Sequence, residues 1–249
     1  MKLVKNFQLN LIIDIGNTRV KTAVFKQDTM IKLFIFDKKK IISEIKKILS
    51  NYTIQRGIVS SVTVISEKKL QKLQSFLPIL LVNSNTNVPF NNLYKTPNTL
   101  GVDRVALVTA AIKKYPNKNV LIIDAGTCIT YDFISSKKNY LGGAISPGII
   151  MRYKSLHTFT AKLPLLKVSI PKKIIGKTTR ESINSGVING VCYEIEGVIW
   201  QYKKIYQDLT IVLTGGDTNF LAKQLKSSIF ANQNFLLYGL NEILIYNKK

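Results

Sequence analysis

The chain has 249 residues, 46% of them hydrophobic and 20% charged, which is enough apolar material for one large core or two smaller ones and excludes disorder as the main state. Two cysteines, Cys128 and Cys192, and a single His157 exclude a disulfide framework and a Cys/His zinc site, and they suit a reducing, cytoplasmic setting. The net charge of +22 is carried mainly by lysine: only Arg19, Arg56, Arg104, Arg152 and Arg180 are arginine, the lysines are scattered in pairs, and no specific nucleic-acid binding is expected.

The first ten residues break their apolar positions with Lys5, Asn6, Gln8 and Asn10, and no stretch nears the ~18 apolar residues of a membrane helix. Neither export nor a membrane is expected. LIIDIG (11–16) then reads as a buried strand ending in Asp14 and a glycine turn, with RVKTAVF (19–25) returning beside it. An amphipathic helix is predicted over 41–50, a strand over 57–62, and a second helix over 66–77 behind a Ser66 cap. A third helix, 102–115, is stopped by Pro116, because proline cannot continue the hydrogen-bond ladder.

Past that proline the opening repeats itself. LIIDAG (121–126) matches LIIDIG at five of six positions and is followed by another strand, CITYDFI (128–134), so two related halves are expected, 1–117 and 118–249. A long helix is predicted over 181–207, with Ile183, Val187, Val191, Ile195, Val198 and Tyr202 along it. Its Gly186, Gly190 and Gly197 each cost ~1 kcal/mol of helix propensity, which the close approach of another backbone would offset. TIVLTGGD (210–217) is a further buried strand meeting a Gly pair, and a helix through Leu221, Leu225 and Ile229 is predicted after it.

Neither half carries GxxxxGK[ST], GxGxxG, a kinase HRD/DFG set or a GxSxG elbow. Three glycine turns after apolar strands remain: 14–18, 124–127 and 214–217. Their N–H groups and hydroxyls suit phosphate, and their carboxylates suit the cation that neutralises it. Lys21 fits either a phosphate contact or a solvated hairpin lysine. Asp103 opens the third helix, where it fits a plain N-terminal charge, while the turn-rich approach from Tyr94 to Leu100 looks like a pocket wall. His157 has no flanking motif and reads as a satisfied or exposed histidine.

The ordered segments DIGNTRVK, YKTPNTLGVDR, DAGTCITYD, GGAISPGI, LHTFTAKLP, IGKTTRESINSG and LTGGD together resemble the type III pantothenate kinases. The resemblance spans nearly the whole chain. It implies an α/β fold of two tandem ribonuclease-H-like lobes, of the acetate kinase, sugar kinase, Hsp70 and actin superfamily, with the active site in the cleft between them. It further implies ATP-dependent phosphorylation of pantothenate to 4′-phosphopantothenate, the first step towards coenzyme A, by a cytoplasmic homodimer. Matched residue by residue, Asp14, Ile15, Gly16, Asn17, Thr18, Arg19, Val20 and Lys21 would form the ATP phosphate loop, with Thr127 a second ATP contact. Tyr94, Gly101, Val102, Asp103, Arg104 and Thr179 would bind pantothenate, Asp103 as catalytic base. Asp124 would hold a monovalent cation, K⁺ or NH₄⁺, alongside ATP with Mg²⁺. Cys128 stands where alanine is common in the family and implies no thiol chemistry, and no role is carried to His157. The alternative function is a non-catalytic transcription accessory, a DNA- or protein-binding module on the same fold.

Overall fold

The computed structural model describes residues 8–17, 19–63 and 65–248, which divide into two compact units, one within 8–114 and 235–248 and the other 115–234. In the first, β1 (Leu9–Ile15), β2 (Val20–Lys26) and β3 (Thr29–Phe36) form an antiparallel meander; α1 (Ile41–Asn51), β4 (Ile54–Ser61), α2 (Glu67–Gln74), β5 (Ile79–Leu81), a two-residue β6 (Asn91–Asn92) and α3 (Val102–Lys114) follow. The sheet order is β3-β2-β1-β4-β5, with β4 parallel to β1 and β5 parallel to β4. The strict alternation of β1 and β2 sends Leu11, Ile13, Val20 and Val24 to one face, against Ile41, Ile45 and Ile48 of α1 and Leu73 of α2. Ile12, Ala23, Phe25 and, on β4, Ile58 line the other face, beneath α3 and the C-terminal helix α7 (Phe235–Tyr246).

That last helix corrects the predicted division of the chain. The expectation placed 235–249 in the second half, but α7 packs Leu237, Leu240 and Ile243 onto the first sheet. Its backbone meets α3 so closely that a Cβ on Gly239 would overlap the Ala106 carbonyl oxygen. Asn241 ties it to β1 and to the β2–β3 turn, accepting from Asn10 Nδ2 at 2.9 Å and donating to the Gln27 carbonyl at 2.8 Å.

The second unit repeats the plan. β7 (Asn119–Ala125), β8 (Cys128–Ile134) and β9 (Asn139–Pro147) form the meander, α4 (Ile149–Thr158) and α5 (Thr179–Ile205) follow, then β10 (Leu209–Thr214), α6 (Thr218–Leu221) and β11 (Phe230–Ala231). Its strands run β11-β10-β7-β8-β9, the 3-2-1-4-5 order of the first unit read from the other edge. Both units are therefore ribonuclease-H-like, and the LIID-x-G echo marks the central strand of each. The second core sets Leu121, Ile123 and Tyr131 against Ile183, Val187, Val191, Ile195 and Ile199 of α5.

Several element ends differ from prediction. α5 begins two residues early because Thr178 Oγ1 accepts the Glu181 N–H at 3.2 Å while Glu181 accepts the Lys177 N–H at 2.8 Å. α2 ends at Gln74, three residues before the predicted Leu77, and Ser66 stands at its N-cap without a side-chain cap bond. The helix predicted through Leu225 and Ile229 stops at Leu221. Glu196 on α5 accepts the Lys226 and Ser227 N–H groups, so that stretch bonds to a carboxylate instead of to its own preceding turn. Among the described residues no helix is long and apolar enough to cross a membrane.

Candidate active site

In the first unit, strand register gathers the site. Asp14, at the end of β1, faces Lys21 on β2 and Ser60 on β4, and all three lie on the side covered by α3. Asp103 stands in the first turn of α3, and its charge is felt at Asp14. Burial pushes the Asp14 carboxyl up from 3.8 to about 7; Lys21 opposes the rise and Asp103 adds to it. Lys21 is partly buried and in register with Asp14, close enough for its charge to act on that carboxyl.

The rest of segment 14–21 divides by direction. The Gly16 N–H donates to the Arg19 carbonyl at 3.1 Å and closes the turn, with Asn17 and Arg19 exposed on it. Ile15 and Val20 point into the α1 and α2 core, so only their main chain is available to a ligand. Thr18 lies outside the described residues.

The acceptor segment is also in the first unit. Gly101 accepts the Val105 N–H at 3.2 Å, and Asp103 Oδ1 accepts the Arg104 N–H at 2.8 Å. Gly101 leaves room for that carboxylate, since a Cβ there would overlap Asp103 Oδ1. The buried Arg104 guanidinium lies over the Tyr94 ring, 5.4 Å from its centroid, and Val102 packs into the core beneath.

In the second unit, Asp124 ends β7 with Thr130 on β8 and Thr214 on β10 in register beside it. Two turns are pinned together around it. The Gly126 N–H donates to the Cys128 carbonyl at 2.9 Å, leaving Thr127 exposed at the tip, and the Asp217 N–H donates to the Ala125 carbonyl at 2.9 Å. Gly215 has φ +97°, and a Cβ there would overlap both the Ala125 carbonyl oxygen and Asp124 Oδ1. Burial pushes the Asp217 carboxyl up. Thr179 is exposed in the first turn of α5 and lines a cavity of 780 Å³ with Arg152, Lys177 and Ser182. His157 is exposed, its Nδ1 2.8 Å from the Leu163 carbonyl oxygen.

Two features escaped the sequence reading. Ser60 was seen only as part of a strand, and nothing short of the β1–β4 register brings it to Asp14. The other is a brace across β8, β9, α4 and α5. Glu194 accepts from Arg152 and from the Tyr131 hydroxyl, the latter at 2.8 Å, and Arg152 also donates to Ser146 Oγ at 2.8 Å and the Pro147 carbonyl at 2.9 Å. Burial pushes the Glu194 carboxyl up, but the bonds from Arg152, Ser146 and Tyr131 outweigh it and hold the group below its usual value.

Twin ribonuclease-H-like units, each ending its central strand in an aspartate beside a glycine turn, place the chain in the fold class of acetate kinases, sugar kinases, Hsp70 and actin. Comparison with solved structures agrees on the fold. A candidate transcriptional activator of the Baf family from Campylobacter jejuni superposes with TM-score 0.65 over 95% of this chain and 98% of its own, at 22% identity. An activator of 2-hydroxyisocaproyl-CoA dehydratase from Clostridium difficile, solved with bound ADPNP, gives TM-score 0.51 at 11% identity over 96% and 94%. The sequence comparisons go further. Residues 10–201 match the model of the type III pantothenate kinase family. A type III pantothenate kinase of Christiangramia forsetii is 49% identical over 241 residues, 96% of this chain and 99% of the relative. The chain belongs to the type III pantothenate kinase family.

Proposed function

We propose that the chain is a pantothenate kinase that moves the γ-phosphoryl group of ATP to the primary alcohol at the pantoyl end of pantothenate, giving 4′-phosphopantothenate and ADP in the cytoplasm. The observation that carries this reading is the convergence of Asp14, Lys21 and Asp103 at one strand end. Asp103 accepts the alcohol proton as the oxygen attacks phosphorus in line. Lys21 and the main chain of the 14–21 turn bind and orient the phosphate tail, with Thr127 as a second contact from the 124–127 turn. Tyr94, Gly101, Val102, Arg104 and Thr179 hold pantothenate, the Arg104–Tyr94 stack keeping both side chains in place.

Magnesium suits these residues. It is commonly held by one or two carboxylates plus the phosphates of its substrate, and Asp14, near Asp103, is a carboxyl whose burial makes its charge costly until a cation arrives. Asp14 would hold the ion, which when bound neutralises charge on the transferring phosphoryl group. Asp124 is assigned the monovalent cation. ADP release by the purified chain tests the whole reading: turnover that needs pantothenate and that falls when potassium is replaced by sodium supports it. Turnover indifferent to potassium removes the Asp124 assignment, and no turnover in folded protein removes the kinase.

The assembly we propose is a homodimer through α5. Gly186, Gly190, Tyr193, Gly197 and Trp200 follow a 4-3-4-3 spacing that makes one stripe, opposite the buried stripe of Ile183, Val187, Val191, Ile195 and Ile199. At the three glycines nothing stands within 4 Å of where a Cβ would be, and Tyr193 and Trp200 are 62% and 53% exposed. The backbone approach expected from the sequence is thus not made within the chain. Gly190→Leu and Trp200→Glu are expected to convert a dimer to a monomer in light scattering, with helix content unchanged by circular dichroism. A persistent dimer in both variants moves the interface elsewhere.

A further inference from the structure

We propose that Ser60 is a positioning residue of the phosphoryl-transfer site, its buried hydroxyl held in place for an oxygen of the magnesium nucleotide. The proposal rests on the kinase reading and deepens it. Ser60 is 0% exposed, and its Oγ has no hydrogen-bond partner. A buried hydroxyl left unmade costs stability, so a native fold that keeps one invites a reason. Position supplies it. Ser60 pairs in register with Asp14 across β1 and β4, at the carboxyl ends of both strands and on the face covered by α3. A hydroxyl there is placed to donate to a phosphate oxygen or to a water carried by the metal once the atoms packed over it give way.

Thr22 is the internal control. Its Oγ1 is equally buried and equally without a partner, but it pairs with Ile13 and Phe34 on the opposite face, inside the apolar core under α1 and α2. Its neighbours on that face, Ile13, Val20, Val24 and Phe34, are apolar. One orphan hydroxyl therefore lies on the face that carries Asp14 and Lys21, and the other in the apolar core on the opposite face.

The test uses the full chain and two variants, Ser60→Ala and Thr22→Val. Calorimetric titration with MgADP and, separately, with pantothenate is combined with melting of the ligand-free protein. Both variants are expected to melt about 2–4 °C higher than wild type, since each loses an unsatisfied polar group. Ser60→Ala alone is expected to bind MgADP roughly tenfold more weakly, the loss of one hydrogen bond to a charged ligand, with pantothenate affinity unchanged. Unchanged MgADP affinity in Ser60→Ala overturns the proposal, as does equal weakening in Thr22→Val or a Ser60→Ala protein that melts lower or fails to fold. A weakening for pantothenate alone overturns it too and hands the hydroxyl to the acceptor. If the wild-type chain itself does not bind MgADP, the kinase reading falls together with this one.

Discussion

Asp103→Asn is expected to lower kcat by about 10²–10⁴ while MgADP affinity stays within a few fold, because it removes a general base and little else. Asparagine keeps an Oδ1 to accept the Arg104 N–H, the 2.8 Å bond that seats the side chain in the first turn of α3. What it loses is the charge and the proton affinity. The competing account of Asp103, a carboxylate that only complements the dipole of α3, predicts a stability loss of about 0.3–1 kcal/mol and no comparable drop in turnover. Steady-state kinetics with a melting curve therefore separates the two. Gly101→Ala supplies a companion result. Its new Cβ would overlap Asp103 Oδ1, which must then swing away, and a displacement of about 1 Å at a reacting group can cost ~10²-fold. A Gly101→Ala protein with wild-type kcat, or an Asp103→Asn protein within tenfold of it, would remove Asp103 from the chemistry.

These residues also show what a sequence can reveal about such a site. The strand, glycine turn and returning strand that carry Asp14 and Lys21 were legible, but their pairing was not read from them; it follows from the register, in which Ile15 opposite Val20 leaves Asp14 opposite Lys21. Asp124 followed from the echo of that pattern in the second unit. From local pattern Asp103 was legible only as a helix start, its role as base coming from the family resemblance, since its approach to Asp14, 89 positions away, depends on how α3 lies on the sheet, and local pattern does not encode helix placement. For the same reason α7 was assigned to the wrong half: its apolar run suits either core, and the choice is made by the Asn10–Asn241 bond and by contact at Gly239. The shortened α6 has a similar cause. Leu225 and Ile229 keep helical spacing, but Glu196, some 30 residues back, captures the N–H groups that would have extended the turn. Periodicity reports which face is apolar, whereas long-range hydrogen bonds decide where an element ends.

Asp14→Asn is expected to stabilise the ligand-free protein above neutral pH and to abolish tight MgADP binding, because the same burial that prepares Asp14 for a cation makes its charge costly without one. The folded carboxyl titrates near 7 against 3.8 for the unfolded group, so between those values the folded state holds the extra proton. Stability contributed by Asp14 is therefore complete below about pH 4, declines as pH rises through the window, and is lost above about 7. The full shift corresponds to ~4 kcal/mol at ~1.4 kcal/mol per unit, which solvent reaching a partly exposed side chain reduces to about 1–3 kcal/mol. Asparagine never ionises and escapes that loss. Its melting temperature should exceed that of wild type by several degrees at pH 8, at roughly 2–4 °C per kcal/mol, and the two curves should converge towards pH 4. Binding reports the same group from the other side. MgADP brings a divalent charge against Asp14 and favours its anion, so wild type should release close to half a proton on binding at pH 7, read as a dependence of titration heat on buffer ionisation enthalpy. Asp14→Asn should show neither the release nor the affinity. Parallel melting curves from pH 4 to 8, with the same proton release in both proteins, would mean that Asp14 is ionised throughout and that the cation is held elsewhere.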